Sequence, residues 1–218
     1  MNLAIPAGYE SKIYCYLDAK TIVFDLDETL IHCHEDEDSP HDVKLPIIFP
    51  NDQVVDAWIN VRPHTKEILQ TLSKKFEIIV FTASHSCYAG VVLDYLDPNR
   101  EYIHHRLFRE HCHCHISEEG NPIYIKDLRI INRDMSKMVL IDNAAYSYCF
   151  QLDNGIPIIP YYHGKTDFEL KALQEYLEKM IFVKDVREVN RKNFQLERYK
   201  EYFGEPEKIV EDLYLFGH

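Results

Sequence analysis

Short apolar runs recur along this chain with helical patterns between them, and that alternation constrains the fold more than any other feature. Residues 21–26 (TIVFDL), 76–82 (FEIIVFT), 138–142 (MVLID) and 156–159 (IPII) are each short, rich in β-branched side chains and closed by polar or turn residues. Consecutive apolar positions in a strand point to opposite faces, so both faces need cover. Residues 63–75 open with proline in the predicted first turn. Thr166-x-x-Glu169 has the spacing of a capping box ahead of the stripe Leu173, Tyr176, Leu177, Met180, Ile181. The alternation predicts an α/β fold, a parallel sheet with helices on both faces. A chain of 218 residues buries roughly 70% of its unfolded surface, enough for a single core. The expected division is an N-terminal extension over 1–18, the α/β domain over 19–185 and a charged, aromatic, helical extension over 186–218. The apolar end of that extension, 213–216, is expected to pack on the domain.

Residues 32–60 interrupt the rhythm with an acidic loop at 35–38 and two strand-like runs, 43–49 and 54–61, around Pro50-Asn51-Asp52. This predicts an inserted β-hairpin after the first strand. It leaves from the carboxyl end of that strand, where open α/β sheets bind ligands, so it is expected to cap a site. The acidic run reads as a solvated loop, with a gate against acidic peptides as the sharper alternative. Lys plus Arg number 24 against 36 Asp plus Glu, a net charge of -12, which disfavours direct nucleic-acid binding through phosphates. No membrane contact is expected either, because no 18-residue stretch lacks charge and the N-terminus lacks the pattern of a leader. The 6 cysteines show no C-x-x-C spacing and read as reduced thiols.

Asp25-Leu26-Asp27-Glu28-Thr29 stands at the end of the first run. Two carboxylates at i and i+2 leaving a buried strand repel each other unless a cation compensates, which suggests a metal site. The pattern suits phosphoryl transfer. A carboxylate is ionised at neutral pH, attacks phosphorus without a base and forms an acyl phosphate that water then cleaves. A second carboxylate can protonate the leaving oxygen and later deprotonate the water. Because carboxylate and phosphate repel, Mg²⁺ is the expected bridge. Thr82 offers a hydroxyl and Lys126 a positive charge to a phosphate, while Asp142 and Asn143 offer oxygens to a hard cation; each follows an apolar run.

DLDETL at 25–30, VRPH at 61–64, FTAS at 81–84, RLFREHC at 106–112, YIKDL at 124–128 and IDN at 141–143 resemble, in order, the motifs of the RNA polymerase II C-terminal-domain phosphatases. That family, also called NLI-interacting-factor-like, lies in the haloacid dehalogenase superfamily, and the resemblance covers about residues 19–188. It implies a haloacid dehalogenase-like Rossmannoid sheet and a Mg²⁺-dependent phosphatase acting on phosphoserine or phosphothreonine in proteins, the polymerase tail among them. Position by position it implies that Asp25 is nucleophile and Mg²⁺ ligand, and that Asp27 is acid/base and lends its carbonyl to the metal. Thr82 and Lys126 would bind phosphate, Asn143 would bind Mg²⁺, Asp142 would support the metal shell, and Arg109 and Tyr88 would contact substrate or the cleft wall. A phosphoprotein partner, a monomeric state and a nuclear or cytoplasmic location are expected. Glu35 and His85 stand where relatives carry an aromatic and a leucine lining a proline pocket, so a proline pocket is not expected here. Ala144-Ala145 replaces the usual Ser-Pro, removing a hydroxyl but no ligand. A small-molecule phosphatase of the same superfamily and a non-catalytic binding module remain as alternatives.

His111-Cys112-His113-Cys114-His115 invites a zinc reading. Alternation at period 2 separates the imidazoles from the thiols, so the expected structure is a strand with buried thiols and exposed imidazoles. His32-Cys33-His34 raises a Cys-His hydrolase, but Asp25 and Asp27 explain that neighbourhood better.

Overall fold

The computed structural model describes residues 19–34, 37–204 and 206–216. The predicted runs form a parallel sheet: β1 (Thr21–Phe24), β5 (Glu77–Phe81), β6 (His105–Leu107), β9 (Met138–Asp142) and β10 (Gly155–Pro157), in the order β10-β9-β1-β5-β6. Alternation along the strands sends Ile22, Phe24, Ile78, Val80 and Ile141 to one face and Val23, Ile79, Phe81 and Leu140 to the other, and all are buried. The first face is covered by α1 (Thr65–Leu72), α2 (Ser86–Leu96) and α3 (Glu169–Met180), through residues such as Leu69, Leu93 and Leu177. The second is covered by a kinked 3₁₀ stretch (Ala145–Asn154), by Phe194 at the end of α4 (Val186–Phe194) and by α6 (Pro206–Phe216). A short α5 (Arg198–Phe203) links the last two. The expected α/β fold with helices on both faces is therefore the fold observed.

The insertion is larger than the expected hairpin. β3 (Val43–Ile48) and β4 (Val54–Val61) pair antiparallel as predicted, but β2 (Ile31–His34) adds to the far edge of β4, giving the order β2-β4-β3. His32-Cys33-His34 is thus a strand, and its pairing with residues 58–60 is long-range, which local pattern does not reveal.

Three other expectations are corrected. The Thr166 capping box does not form: α3 begins at Glu169, whose N–H is taken by Asp167 Oδ1 at 3.1 Å. Asp167 is better placed because Arg62 already fixes its carboxylate. Pro63 lies ahead of α1 rather than in its first turn, with His64 at the N-cap in the left-handed region at φ 69. The His/Cys run is not one strand. Arg109–His111 is a 3₁₀ turn, and β7 (His113–Ile116) pairs with β8 (Pro122–Ile125). The register sets His113 opposite Ile125 and His115 opposite Ile123, and both isoleucines are buried, so that side of the ribbon faces the body, with His115 half-buried while His111 and His113 stay exposed as expected. Cys114 is exposed, and His115 Nε2 pairs with Glu211 of α6 at 3.1 Å. Leu213 and Tyr214 pack on the second core face, as expected for the apolar end; the side chains of Leu215 and Phe216 lie outside the described residues.

Candidate active site

Asp25 follows β1 directly, and its N–H donates to the Ile141 carbonyl of β9 at 2.9 Å. The chain then turns at once. The Leu26 carbonyl accepts from Leu30 N–H at 2.8 Å and Ile31 N–H at 3.2 Å, and Glu28 adopts the left-handed conformation at φ 54. Tyr161 N–H donates to the Glu28 carbonyl at 2.8 Å and His32 Nδ1 meets Glu28 Oε1 at 2.9 Å, so tertiary contacts hold the uncommon backbone. Buried Arg62 locks the same turn from below. It donates to the Thr29 carbonyl at 3.1 Å and the Ile159 carbonyl at 2.9 Å, and through Nε and Nη2 to both oxygens of Asp167.

One ammonium sits between two buried carboxylates. Lys126, just after β8, donates from Nζ to Asp25 Oδ1 at 2.5 Å and to Asp142 Oδ2 at 2.5 Å. Burial alone would depress the Lys126 ammonium, but Asp142 and Asp25 outweigh it and hold it above its usual value. Burial pushes the Asp25 carboxyl up to about 8; Lys126 opposes the rise, and the like charges of Asp142 and Asp27 add to it. With all three carboxyls ionised against one ammonium, negative charge would be in surplus in a low-dielectric place; Asp25 resists this by holding its proton, and a further cation would relieve it.

The oxygens show where such a cation fits. The Asn143 side-chain amide reaches Asp25 Oδ2, the Asp27 carbonyl and Thr29 Oγ1 at 3.3, 3.3 and 3.2 Å, and its nitrogen can donate to all three. Turned the other way, the amide adds its own oxygen to those of Asp25 and Asp27 around one point. Thr29 Oγ1 supports the set, reaching Asp25 Oδ2 at 3.1 Å and Asn143 Oδ1 at 3.2 Å. One carboxylate, one amide and one main-chain carbonyl are hard-oxygen donors that suit Mg²⁺ with water or substrate completing its shell. Among the described residues no group of three His, Cys, Asp or Glu side chains forms a metal cluster. Asp142 adds no ligand directly: its Oδ1 accepts Ala144 N–H at 2.8 Å, which holds the turn presenting Asn143.

The Asp27 side chain points elsewhere. Its Oδ2 accepts from Ser84 Oγ at 2.6 Å and Thr82 Oγ1 at 3.3 Å, and its Oδ1 from the Tyr88 hydroxyl at 2.8 Å. Burial first, then the charge of Asp27, raises Tyr88 far above the usual phenol value, so it stays a donor. Burial likewise raises the Cys33 and Cys112 thiols, Cys112 to about 11, so neither is a ready thiolate.

The structure thus brings Asp25, Asp27, Thr82, Lys126, Asp142 and Asn143 together at adjoining strand ends, with Tyr88 bound to Asp27 rather than lining an open wall. Arg109 and His85 stay at the rim. Arg109 donates to the Ala83 carbonyl at 2.6 Å and stacks over Tyr124, and exposed His85 caps α2. Glu35 and half of the acidic loop lie outside the described residues. Sequence reasoning did not single out Ser84, Thr29 or Arg62, although Ser84 closes the FTAS motif.

Comparison with known proteins shows the family. The family model of NLI interacting factor-like phosphatases matches residues 20–187. The CTD small phosphatase-like protein 3 of Caenorhabditis elegans is 42% identical over 185 residues, covering 84% of this chain and 62% of its own. A probable C-terminal domain small phosphatase of Dictyostelium discoideum is 41% identical, covering 79% and 54%. CTD nuclear envelope phosphatase 1 of Xenopus tropicalis is 35% identical, covering 82% and 74%. The chain spans less than two thirds of the length of the first of these curated relatives. The solved structure of Fcp1, an essential RNA polymerase II CTD phosphatase, shares the fold at a TM-score of 0.56 and 20% identity, covering 93% of this chain and 60% of its own.

Proposed function

Since the chain belongs to the NLI interacting factor-like phosphatase family, we propose that it is a Mg²⁺-dependent protein phosphatase acting on phosphoserine or phosphothreonine through an aspartyl phosphate. The observation that carries this reading is Asp25, with one oxygen on the Lys126 ammonium and the other beside the Asn143 amide, which also reaches the Asp27 carbonyl. Asp25 Oδ2, the Asp27 carbonyl and Asn143 Oδ1 would hold the Mg²⁺. When bound, the ion offsets the repulsion between carboxylate and phosphate. Asp25 Oδ1 is then the oxygen left for phosphorus, and Lys126 Nζ lies where the charge of the phosphate arrives.

Bond by bond, Asp25 Oδ1 joins phosphorus as the bond from phosphorus to the serine or threonine oxygen breaks, and Asp27 gives that oxygen its proton. Water then attacks the same phosphorus and yields a proton to Asp27, and the bond to Asp25 breaks, releasing inorganic phosphate and restoring both carboxyl groups. Thr82 and Lys126 hold the phosphoryl oxygens throughout. Asp142 fixes Lys126 and the Asn143 turn.

A protein substrate is favoured because the insertion contributes three short strands rather than a domain large enough to close over a small molecule. The names of the relatives point to the polymerase tail or a nuclear-envelope substrate, and so to a nuclear setting. Among the described residues no helix is long and apolar enough to cross a membrane. With His85 exposed at the rim, no apolar pocket for a flanking proline is proposed.

The test is a phosphoserine peptide turned over with and without chelator, with the acid-quenched protein then mapped by mass spectrometry. Mg²⁺-dependent turnover with phosphate on the peptide containing Asp25 is expected. Turnover that survives exhaustive chelation, or phosphate on another residue, refutes the reading.

A further inference from the structure

A carboxylate that must serve as acid and base cannot also be a ligand of the cation beside it. Asp27 faces that conflict, because its carbonyl meets the Asn143 amide and it stands two residues from Asp25, which holds Lys126. Coulomb attraction would draw the carboxylate inward toward either positive charge. In the structure it is turned outward, with no contact to Lys126 or Asn143, and both its oxygens are engaged by hydroxyls from β5's following loop and from α2.

Resting on the phosphatase reading above, the geometry points to Ser84 and Tyr88 as the positioning residues that keep the Asp27 carboxyl out of the cation and lysine cluster, where it can reach the leaving oxygen. Thr82 cannot do this through the reaction. Its bond to Asp27 is the longest of the three at 3.3 Å, and its hydroxyl is needed by the incoming phosphate. Ser84 and Tyr88 remain. Ser84 is doubly placed, since its N–H donates to Thr82 Oγ1 at 2.9 Å while its Oγ holds Asp27 at 2.6 Å. Tyr88 belongs to α2 and its ring packs on the first core face, which holds its hydroxyl at Asp27. Ser84 and Tyr88 act on the reaction only through Asp27.

Leaving-group chemistry separates this role from a structural one. A serine alkoxide needs the proton of Asp27 to depart, whereas 4-nitrophenolate is stable without it, and kcat/KM reports only steps up to phosphoryl transfer onto Asp25. The experiment compares kcat/KM on a phosphoserine peptide and on 4-nitrophenyl phosphate for wild type, Ser84→Ala, Tyr88→Phe, the double variant and Ser84→Thr, with melting temperatures alongside. The double variant is expected to lose about 100-fold on the peptide, and at least about tenfold less on the aryl ester. Each single change should lose about tenfold on the peptide, and Ser84→Thr, which keeps the hydroxyl, should restore most of it. The double variant should also need less Mg²⁺ for half-maximal rate, because the freed carboxylate becomes an extra ligand. Equal losses on both substrates, or a peptide loss under about twofold, would overturn the assignment while leaving the phosphatase reading intact. If Tyr88→Phe fails to fold, Ser84→Ala and Ser84→Thr alone decide between these outcomes. A wild-type protein inactive on both substrates would overturn both readings together.

Discussion

Replacing Lys126 with methionine isolates the central electrostatic claim. Methionine has nearly the same length, so the change removes charge and three donors while leaving little void. The side chains concerned are 2%, 8% and 1% exposed for Lys126, Asp25 and Asp142, so water cannot take over the lost contacts. Breaking a buried pair by removing one partner costs about 3–5 kcal/mol. For a domain of this size one kcal/mol is about 2–4 °C, so the chelated variant should melt about 6–20 °C below wild type at pH 8. The loss has a pH signature. Lys126 opposes the rise of Asp25 to about 8, so without the ammonium Asp25 keeps its proton to higher pH in the folded state, whereas unfolded carboxyls have lost theirs above about pH 4. Up to about pH 8 both folded proteins bind that extra proton and lose stability in parallel as pH rises; above it the wild type has released the proton and the variant has not, so the deficit should grow from about pH 7 to about pH 9. Adding Asp142→Asn should recover part of it, since one of the two repelling charges is gone. Differential scanning calorimetry on chelated protein reads all of this. A melting temperature within about 2 °C of wild type at pH 8, below the shift expected for even one kcal/mol, would show that Lys126 is not the counter-charge these carboxylates depend on. A deficit that does not change with pH would say the same.

The amide in Asp25→Asn is a poor nucleophile of the same shape, so kcat on a phosphoserine peptide should fall by at least about 10³-fold. The chelated protein should become more stable, because a buried group that resists ionising has been replaced by a neutral one; a variant that keeps activity refutes the mechanism. Glu77, at the start of β5, is desolvated but held down to about 2 by His105, Arg133 and Thr21. Its stabilisation is complete above the unfolded value of 4.5 and is lost as pH falls toward 2, so Glu77→Gln should cost about 3 kcal/mol at pH 7 and little at pH 2, read by urea unfolding at both. Matched phosphoserine peptides with Pro, Ala or Lys beside the phosphate should differ less than about tenfold in kcat/KM in favour of proline. A larger preference would show that another wall supplies the apolar surface.

What could be read in the sequence was whatever depends on neighbours in the chain. The runs that became β1, β5 and β9 are apolar at every position because both faces of the sheet are covered, and a local pattern carries that information. The turn Asp25 to Thr29 and the Asp142-Asn143 pair are likewise continuous stretches. β2 escaped because its partner sets it: Ile31–His34 is a strand only against residues 58–61, and for β7, expected as a strand, only the register with Ile123 and Ile125 decides which side faces the body. Arg62 shows the same limit. A single arginine before a proline carries no sign of Asp167, 105 positions away, which makes it buried and indispensable to the turn. Ser84 and Tyr88 were visible as motif residues or rim residues, but that both reach the same carboxylate is a fact of tertiary geometry.

The position of α6 has a consequence for how the molecule assembles. Ile209 and Val210 close the second face over the 3₁₀ stretch and the ribbon carrying Lys126, and they are fully buried there. Residues 206–216 leave the ribosome after every strand they cover. The sheet can therefore form with its first face sealed by α1 to α3 while Leu140, Ile123 and Ile125 still wait for a lid, an interval in which apolar surface is open to chaperones or to aggregation. In the finished protein the same helix, tied to the ribbon through Glu211 and His115, keeps solvent from the apolar side chains beneath the loop of Lys126.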